Sequence, residues 1–241
     1  MDSIYGDLKP VVVSLLFPPP CGEGWGGGEI FMTHYSGRYS GWVEVVCGPM
    51  FSGKTEELIR RLRLVQIAKQ RIQIFKPLID NRYHDTCISS HNDQKFQCTP
   101  ISDAKQIIDE INDTTRVVGI DEAQFFSDEL VDVCEKLANR GIRVIASGLD
   151  QDYLGKPFGP MPKLLAIAES VLKLKAVCMV CGESATKTQR LTADTDQVVV
   201  GSGECYEARC RACFDPDLTL ELSKPAVPVS KKVKTEAFMP R

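Results

Sequence analysis

The chain has 241 residues, a formal net charge of −3, 43% hydrophobic residues and 25% charged residues. This length can bury one sizeable core and a small satellite, but not two full domains. The slightly acidic balance and the absence of a long basic cluster argue against a nucleic-acid or membrane-surface partner. No apolar run approaches the roughly 18 residues that a membrane-spanning helix needs, which argues against a membrane protein.

Hydrophobic periodicity divides the chain into segments. Residues 1–40 are rich in Gly and Pro without sustained periodicity, and residues 215–241 end in a polar, Lys-containing stretch, so we predict a disordered extension and a disordered tail. Between them we predict strands at residues 42–47, 71–75, 116–120 and 142–146, with helices at 54–69, 102–111 and 127–140. Ser102 is the predicted N-cap of the second helix, and residues 80–97 a predicted polar loop. This alternation predicts an α/β fold over residues 41–177, with helices flanking a parallel sheet.

The cysteines and the N-terminal residues indicate a compartment. The apolar stretch at residues 11–17 is short, only Lys9 is basic before it and three prolines follow, so it does not resemble a secretory signal. Four of the ten cysteines form two C-x-x-C pairs and six are scattered, a pattern typical of metal binding plus free thiols inside a cell. We therefore predict a cytoplasmic enzyme.

A phosphate-binding loop is predicted between the first strand and the first helix. The eight residues match G-x-x-x-x-G-K-[ST] and read Gly48-Pro49-Met50-Phe51-Ser52-Gly53-Lys54-Thr55. The glycines allow the backbone to wrap closely around phosphates, so that N–H groups and the helix N-terminus point at the anion. Lys54 is predicted to neutralise the β- and γ-phosphates of ATP, and the Thr55 hydroxyl to bind Mg²⁺. An ordinary glycine-containing turn is the weaker alternative, because a strand and a helix flank the motif.

Two acidic residues follow the third predicted strand directly. Asp121 at this strand end is placed to meet Mg²⁺, and Glu122 to face the γ-phosphate. A carboxylate there can orient water, which gives an ATPase, or accept a proton from a substrate hydroxyl, which gives a kinase. The alternative is that Asp121 and Glu122 are two surface acids in a turn without a functional role. A helicase is excluded, because the remaining chain is too short for a second core.

Two chelating turns lie near the end of the ordered region. Cys178, Cys181, Cys210 and Cys213 form C-x-x-C pairs separated by 28 residues, with hairpin-like strands predicted between them at residues 186–191 and 197–200. Four thiolates make a closed tetrahedral site that suits structural Zn²⁺. Two disulfides or a redox pair are alternatives that the predicted compartment and the flanking pattern disfavour. We predict a small zinc ribbon at residues 178–214 that stabilises a loop.

Taken together, these motifs resemble a known family. Residues 48–55, Asp121 to Phe126, Lys156 to Gly159 and the two C-x-x-C pairs occur in the order seen in zinc-containing thymidine kinases of bacteria and animal cytosol. The resemblance covers residues 41–214. It implies a RecA-like P-loop domain that transfers the ATP γ-phosphate to the 5′-hydroxyl of thymidine, and also of deoxyuridine, in deoxynucleoside salvage. It also implies a homotetramer that thymidine triphosphate inhibits.

The resemblance assigns roles to individual residues. Glu122 matches the catalytic base, Arg82 matches an arginine near the transferred phosphate, and Asp121 and Gln124 match the ATP site. The family holds thymidine between the core and a loop of the ribbon called the lasso. Residues that match the nucleoside site come from the core and from the ribbon: Met50, Phe125, Leu149, Tyr153 and Phe158, then Thr188, Val199, Gly201 and Tyr206. Ordinary core packing is the alternative for each apolar one, and Tyr153 replaces the Phe that family members often carry.

Two other functions remain as alternatives at this stage. One is an ATP-gated binding protein whose ribbon contacts nucleic acid, against which the net charge argues. The other is a P-loop kinase that acts on a different small molecule.

Overall fold

The computed structural model describes residues 41–78, 87–89, 95–192 and 205–218. The predicted extension and nearly all of the predicted tail lie outside the described residues, as do Arg82, Val199 and Gly201. The described helices are α1 Lys54–Ile67, α2 Gln106–Glu110, α3 Glu129–Asn139 and α4 Met161–Ile167. The described strands are β1 Val43–Cys47, β2 Ile72–Pro77, β3 Cys87–Ser89, β4 Lys95–Gln97, β5 Thr99–Ile101, β6 Val117–Ile120, β7 Arg143–Gly148, β8 Ser170–Lys173, β9 Ala176–Val177, β10 Ser184–Ala185, β11 Lys187–Arg190 and β12 Tyr206–Arg209.

The main sheet is parallel, as the alternation of strands and helices predicts. Its six strands lie in the order β5-β2-β6-β7-β1-β8, and each neighbouring pair runs parallel. Strand β1 therefore lies between β7 and β8, and its last residue, Cys47, pairs with Gly148 and Lys173. Because all six strands point the same way, their carboxyl ends share one edge of the sheet, where α/β proteins bind ligands.

The two faces of the sheet bury separate apolar clusters. Helix α1 packs Leu58 and Leu62 on one face, where they meet Val46 of β1. Helices α3 and α4 cover the other face, where they meet Val45 and its neighbours. Successive β1 residues thus serve opposite cores, as expected for a strand buried on both sides. Each fully buried Leu or Val side chain contributes about 1.5–3 kcal/mol to the free energy of unfolding. The strand before the predicted P-loop is therefore stabilised by packing on both of its faces.

The sequence predictions for the sheet domain are confirmed with three corrections. The four predicted strands and three predicted helices are all present, but β5, α4 and the edge strand β8 were not predicted. The predicted polar loop at residues 80–97 is wrong in part, because β3 and β4 pair there as an antiparallel hairpin. Ser102 does not cap α2; the Asp103 carboxylate accepts the N–H of Lys105 instead, 2.7 Å away, and α2 begins only at Gln106. In the described part of the chain no helix is long and apolar enough to cross a membrane.

A buried carboxylate ties β1 to its neighbours. Glu44 is 5% exposed and accepts hydrogen bonds from Arg61 of α1, from Arg143 of β7 and from the Trp42 indole, each at 2.6 Å. Burial raises the pKa of Glu44, but the hydrogen bonds and charges of Arg143, Trp42 and Arg61 outweigh it, so the pKa is lowered overall. The network joins the strand before the P-loop to the helix after it.

We expect Glu44→Gln to cost about 3–5 kcal/mol of unfolding free energy in urea titrations at pH 7, because two arginines lose their buried counter-charge. The folded-state pKa of Glu44 lies below its unfolded value, so the stabilisation is complete above the unfolded pKa of 4.5 and is lost as pH falls through the folded value. The difference between wild type and variant should therefore narrow in acid. Glu129→Gln, which breaks an exposed pair with Lys105, is the matched control and should leave the unfolding free energy nearly unchanged, because water and salt screen exposed charges. Equal losses for the two variants would contradict the assigned role of Glu44.

Candidate active site

The predicted P-loop folds as a tight turn between β1 and α1. Gly48 has φ 148°, and a Cβ there would lie 2.6 Å from the carbonyl oxygen of Leu174, so no larger residue fits. Gly53 is left-handed, with φ 80°, at the residue before α1. Phe51 is also left-handed, with φ 62°, although it is not a glycine. The loop therefore turns sharply between β1 and α1, where the α1 N-terminus attracts anions.

The side chains of the loop are anchored to its own backbone and to β6. The Lys54 ammonium and the Ser52 hydroxyl each donate to the carbonyl oxygen of Pro49 at 2.8 Å. The Thr55 hydroxyl donates to Asp121 Oδ2 at 3.3 Å. Thr55 and Asp121 thus bring a hydroxyl and a carboxylate together beside the phosphate cradle, an oxygen pair that suits Mg²⁺.

The electrostatics of Asp121 fit a cation site. Asp121 is buried, and burial together with the adjacent charge of Glu122 raises the pKa of Asp121 to about 7. The backbone N–H of Glu122 and the charge of Lys54 lower the pKa, but only in part. A divalent cation bound by this carboxylate would stabilise its charged form.

Glu122 is held in an unusual conformation at the end of β6. It is left-handed, with φ 50°, just before a 3₁₀ turn at Ala123–Phe125. Such a conformation costs a non-glycine residue free energy and is concentrated at functional sites. The amide nitrogen of Gln124 donates to Glu122 Oε2, while its amide oxygen accepts the N–H of Leu149 at 2.9 Å.

Gln124 makes a bridge between two segments that the sequence analysis did not predict. Its side chain is 2% exposed, and its contacts are with Glu122 and with the backbone after β7. The family resemblance assigned Gln124 to the ATP site and gave no sign of this bridge. In the sequence, only the position of Gln124 two residues after Glu122 indicated the first contact. The second contact, with Leu149, is 25 residues away and could not be inferred.

The apolar residues assigned to the nucleoside lie at the same edge of the sheet. Phe125 follows β6, whereas Leu149, Tyr153 and Phe158 follow β7. The rings of Phe125 and Phe158 meet edge to face, with centroids 5.7 Å apart and an interplanar angle of 89°. Tyr153 and Phe158 are each 7% exposed, so most of their surface already packs against protein.

The ribbon reaches the P-loop through Thr188. Its hydroxyl oxygen accepts the backbone N–H of Met50 at 3.0 Å, and the side chain is 4% exposed. Thr188 lies on β11, which pairs with β12 so that Arg190 is opposite Tyr206. Strand β11 confirms the predicted strand at residues 186–191, whereas the second predicted ribbon strand, at residues 197–200, lies outside the described residues. The partner strand is β12.

An ion pair that the sequence analysis missed spans the strand before the P-loop. Lys173 at the end of β8 lies 2.7 Å from Asp150 Oδ2, in the segment after β7, and the Asp150 side chain is 5% exposed. Because β1 lies between β7 and β8, this pair crosses it next to Cys47. The Asp150 charge and, above all, burial raise the pKa of the Cys47 thiol to about 11. The available signal was an acid two residues after the buried strand β7, comparable to Asp121, which follows β6 directly.

The four predicted zinc ligands converge. The sulfur atoms of Cys178, Cys181, Cys210 and Cys213 all lie within 4.8 Å of one another, and those of Cys181 and Cys210 are 3.7 Å apart. A tetrahedron with Zn–S bonds of about 2.3 Å has edges of about 3.8 Å, whereas a disulfide bond is about 2.05 Å long. All four are free thiols, so the disulfide alternative is wrong. Backbone N–H groups, above all that of Cys210, lower the pKa of Cys178 to about 6, whereas hydrogen bonds with Cys210 and Cys181 raise the pKa of Cys213 to about 12.

The purified protein should contain one zinc ion per chain by inductively coupled plasma mass spectrometry. Cys181→Ser should abolish stoichiometric zinc and lower the melting temperature, because metal binding contributes directly to folding. Cys205→Ser is the matched control, since Cys205 is a free thiol in the same ribbon but outside the quartet. Full zinc content in Cys181→Ser would contradict the four-ligand site.

Comparison with known proteins agrees with this geometry. The family model described as thymidine kinase matches residues 41–214. The chain is 56% identical over 176 residues to the thymidine kinase of Rhodothermus sp. (strain ITI 518), covering 73% of this chain and 82% of that protein. It is 55% identical over 178 residues to the thymidine kinase of Bdellovibrio bacteriovorus (strain ATCC 15356 / DSM 50701 / NCIMB 9529 / HD100), covering 74% and 87% respectively. The chain belongs to the thymidine kinase family.

Proposed function

We propose that this protein transfers the γ-phosphate of ATP to the 5′-hydroxyl of thymidine, and of deoxyuridine, in deoxynucleoside salvage for DNA synthesis. The observation that carries the proposal is the Glu122 carboxylate. It is half-buried, oriented by Gln124, and adjacent in sequence to the Asp121 that contacts the P-loop. Two relatives named thymidine kinase, at 55% and 56% identity, support thymidine as the acceptor.

The residues divide the reaction between them. The P-loop N–H groups and Lys54 bind the ATP phosphates, and Mg²⁺ bound through Thr55 and Asp121 would neutralise charge on them. Glu122 accepts the proton of the substrate 5′-hydroxyl while the 5′-oxygen of the substrate bonds to the γ-phosphorus. The bond from that phosphorus to the β–γ bridging oxygen breaks, and ADP leaves. Arg82, which lies outside the described residues, is proposed to offset negative charge in the transition state.

The acceptor site is proposed to be mainly apolar. Met50, Phe125, Leu149, Tyr153 and Phe158 would surround the base, and the ribbon residues Thr188, Val199, Gly201 and Tyr206 would close over it. A slot shaped around the thymine methyl group discriminates against a ligand of different size by about 1–3 kcal/mol. The zinc ion would hold the base of the ribbon and take no part in the chemistry.

We extend the proposal to a cytoplasmic homotetramer. Strand β8 ends the sheet and exposes 47% of Val171, and such an edge can pair with another chain. Helix α1 exposes Leu64 by 41% and Ile67 by 77%, which gives a second apolar surface on another side of the sheet. The scattered free thiols are those of a reducing compartment.

The first test is to incubate the protein with Mg-ATP and each deoxynucleoside, and to measure monophosphate formation. We expect product from thymidine and deoxyuridine only. Glu122→Gln should lower kcat by about 10²–10⁴-fold while ATP binding persists, because the proton acceptor is lost and the P-loop is intact. ATP hydrolysis without any nucleoside product would overturn the proposal and favour the ATP-gated binding protein. Phosphorylation of a different small molecule would favour the other P-loop kinase.

A second test asks whether Gln124 orients Glu122 or binds ATP directly. Gln124→Met keeps the volume but removes both hydrogen bonds, so Glu122 should lose its orientation. We expect kcat to fall by about 10–100-fold with KM for ATP within a factor of about three, as for a misplaced catalytic group. Steady-state kinetics with ATP varied at saturating thymidine measures both constants. A large rise in KM for ATP with kcat unchanged would instead support direct ATP binding by Gln124.

A further inference from the structure

The largest fully buried side chain in the described part of the molecule belongs to a charged residue. Arg190, at the end of β11, is 0% exposed. Removing a guanidinium from water is costly unless other groups compensate its charge and its hydrogen bonds. The contacts of Arg190 must therefore compensate the cost of burying its charge. No motif in the sequence indicates these contacts.

Arg190 joins two aromatic rings from different parts of the fold. Its guanidinium carbon lies 3.6 Å from the ring centroid of Tyr153, in the segment after β7, and 5.3 Å from that of Tyr206, on β12. Its Nη2 atom also donates to the Tyr206 hydroxyl at 2.9 Å. Guanidinium groups are attracted to the faces of aromatic rings, and more strongly when water is excluded. The sheet domain and the ribbon are thus joined through this cation.

The same strand carries a second contact to the sheet domain. Thr188 lies two residues before Arg190, on the same face of β11, and accepts the N–H of Met50. One residue after Arg190, the N–H of Leu191 donates to the carbonyl of Cys205 at 2.9 Å. That bond joins the two ends of the segment that contains Val199 and Gly201. Arg190 therefore lies next to one end of this segment and, through Tyr153, beside the proposed nucleoside site.

We propose that Arg190 is a positioning residue for the nucleoside: it sets the planes of Tyr153 and Tyr206 and thereby shapes the acceptor site, without contacting the reacting atoms. The inference rests on the proposed function. The Tyr153 face that carries the guanidinium is closed to any ligand, so Tyr153 offers the base only its other face or its edge. A lysine cannot replace this arrangement, because its ammonium lacks the planar fork that stacks on one ring and bonds to the other residue.

The test compares the steady-state constants of Arg190→Lys and Arg190→Met with those of wild type. We expect KM for thymidine to rise about 10-fold or more in both variants, with KM for ATP and kcat within a factor of about three. Arg209→Met is the matched control, since Arg209 is a partly buried ribbon arginine that donates to Glu207 and to the carbonyl of Cys213. It should leave KM for thymidine unchanged. Zinc content and melting temperature are measured for every variant.

If the Arg190 variants do not fold, Tyr206→Phe tests the same proposal. It removes only the hydroxyl that accepts from Arg190, and we expect KM for thymidine to rise about 3-fold while KM for ATP is unchanged. An unchanged KM for thymidine in the variants that fold, or a parallel loss in both KM values and kcat that follows melting temperature, would overturn the positioning role while leaving the kinase assignment intact. A wild-type protein that phosphorylates no nucleoside would overturn both.

Discussion

The parallel pairing of β1 with β7 and β8 is the constraint on which the site depends. It brings the carboxyl ends of these strands and of β6 to one edge of the sheet. The P-loop follows β1, Asp121 and Glu122 follow β6, and Asp150 follows β7. A slip of one residue in β1 would move Val45 and Val46 to the wrong cores and displace Gly48 from the carbonyl of Leu174. Packing on two faces thus fixes the position of the phosphate loop.

This arrangement places negatively charged side chains at an edge of the sheet where burial disfavours their charged forms. Asp121 and Glu122 are adjacent, and the pKa of Asp121 is raised to about 7 because the fold disfavours its charged form. Asp150, which follows the neighbouring strand β7, instead pairs with Lys173. At Asp121 the backbone N–H of Glu122 and the charge of Lys54 offset the effect of burial only in part. A cation bound by Asp121 would stabilise the charged form of this carboxylate further.

Local motifs made the candidate site residues visible in the sequence, whereas long-range contacts made part of the fold and of the site unpredictable. The P-loop, the Asp121–Glu122 pair and the cysteine quartet are each encoded within a few residues or a repeated spacing. Strand β8 is short and mostly exposed, so it lacks the apolar run that reveals a buried strand. Helix α4 has seven residues with a proline at its start, too few for a clear period. The roles of Gln124 and Arg190 depend on partners 16 to 37 residues away, which pairing creates only in three dimensions.

Strand β11 shows how the cysteine-containing ribbon contacts a site that is built on the sheet. Its Thr188 hydroxyl binds the backbone of the phosphate loop, and its Arg190 guanidinium stacks on the aromatic group that follows β7. The two contacts are two residues apart on a single face of β11, so the same short strand carries both. Binding that orders one contact therefore lowers the ordering cost of the other. Since coupling between two sites is reciprocal, the phosphate loop and the nucleoside site are expected to strengthen each other through β11.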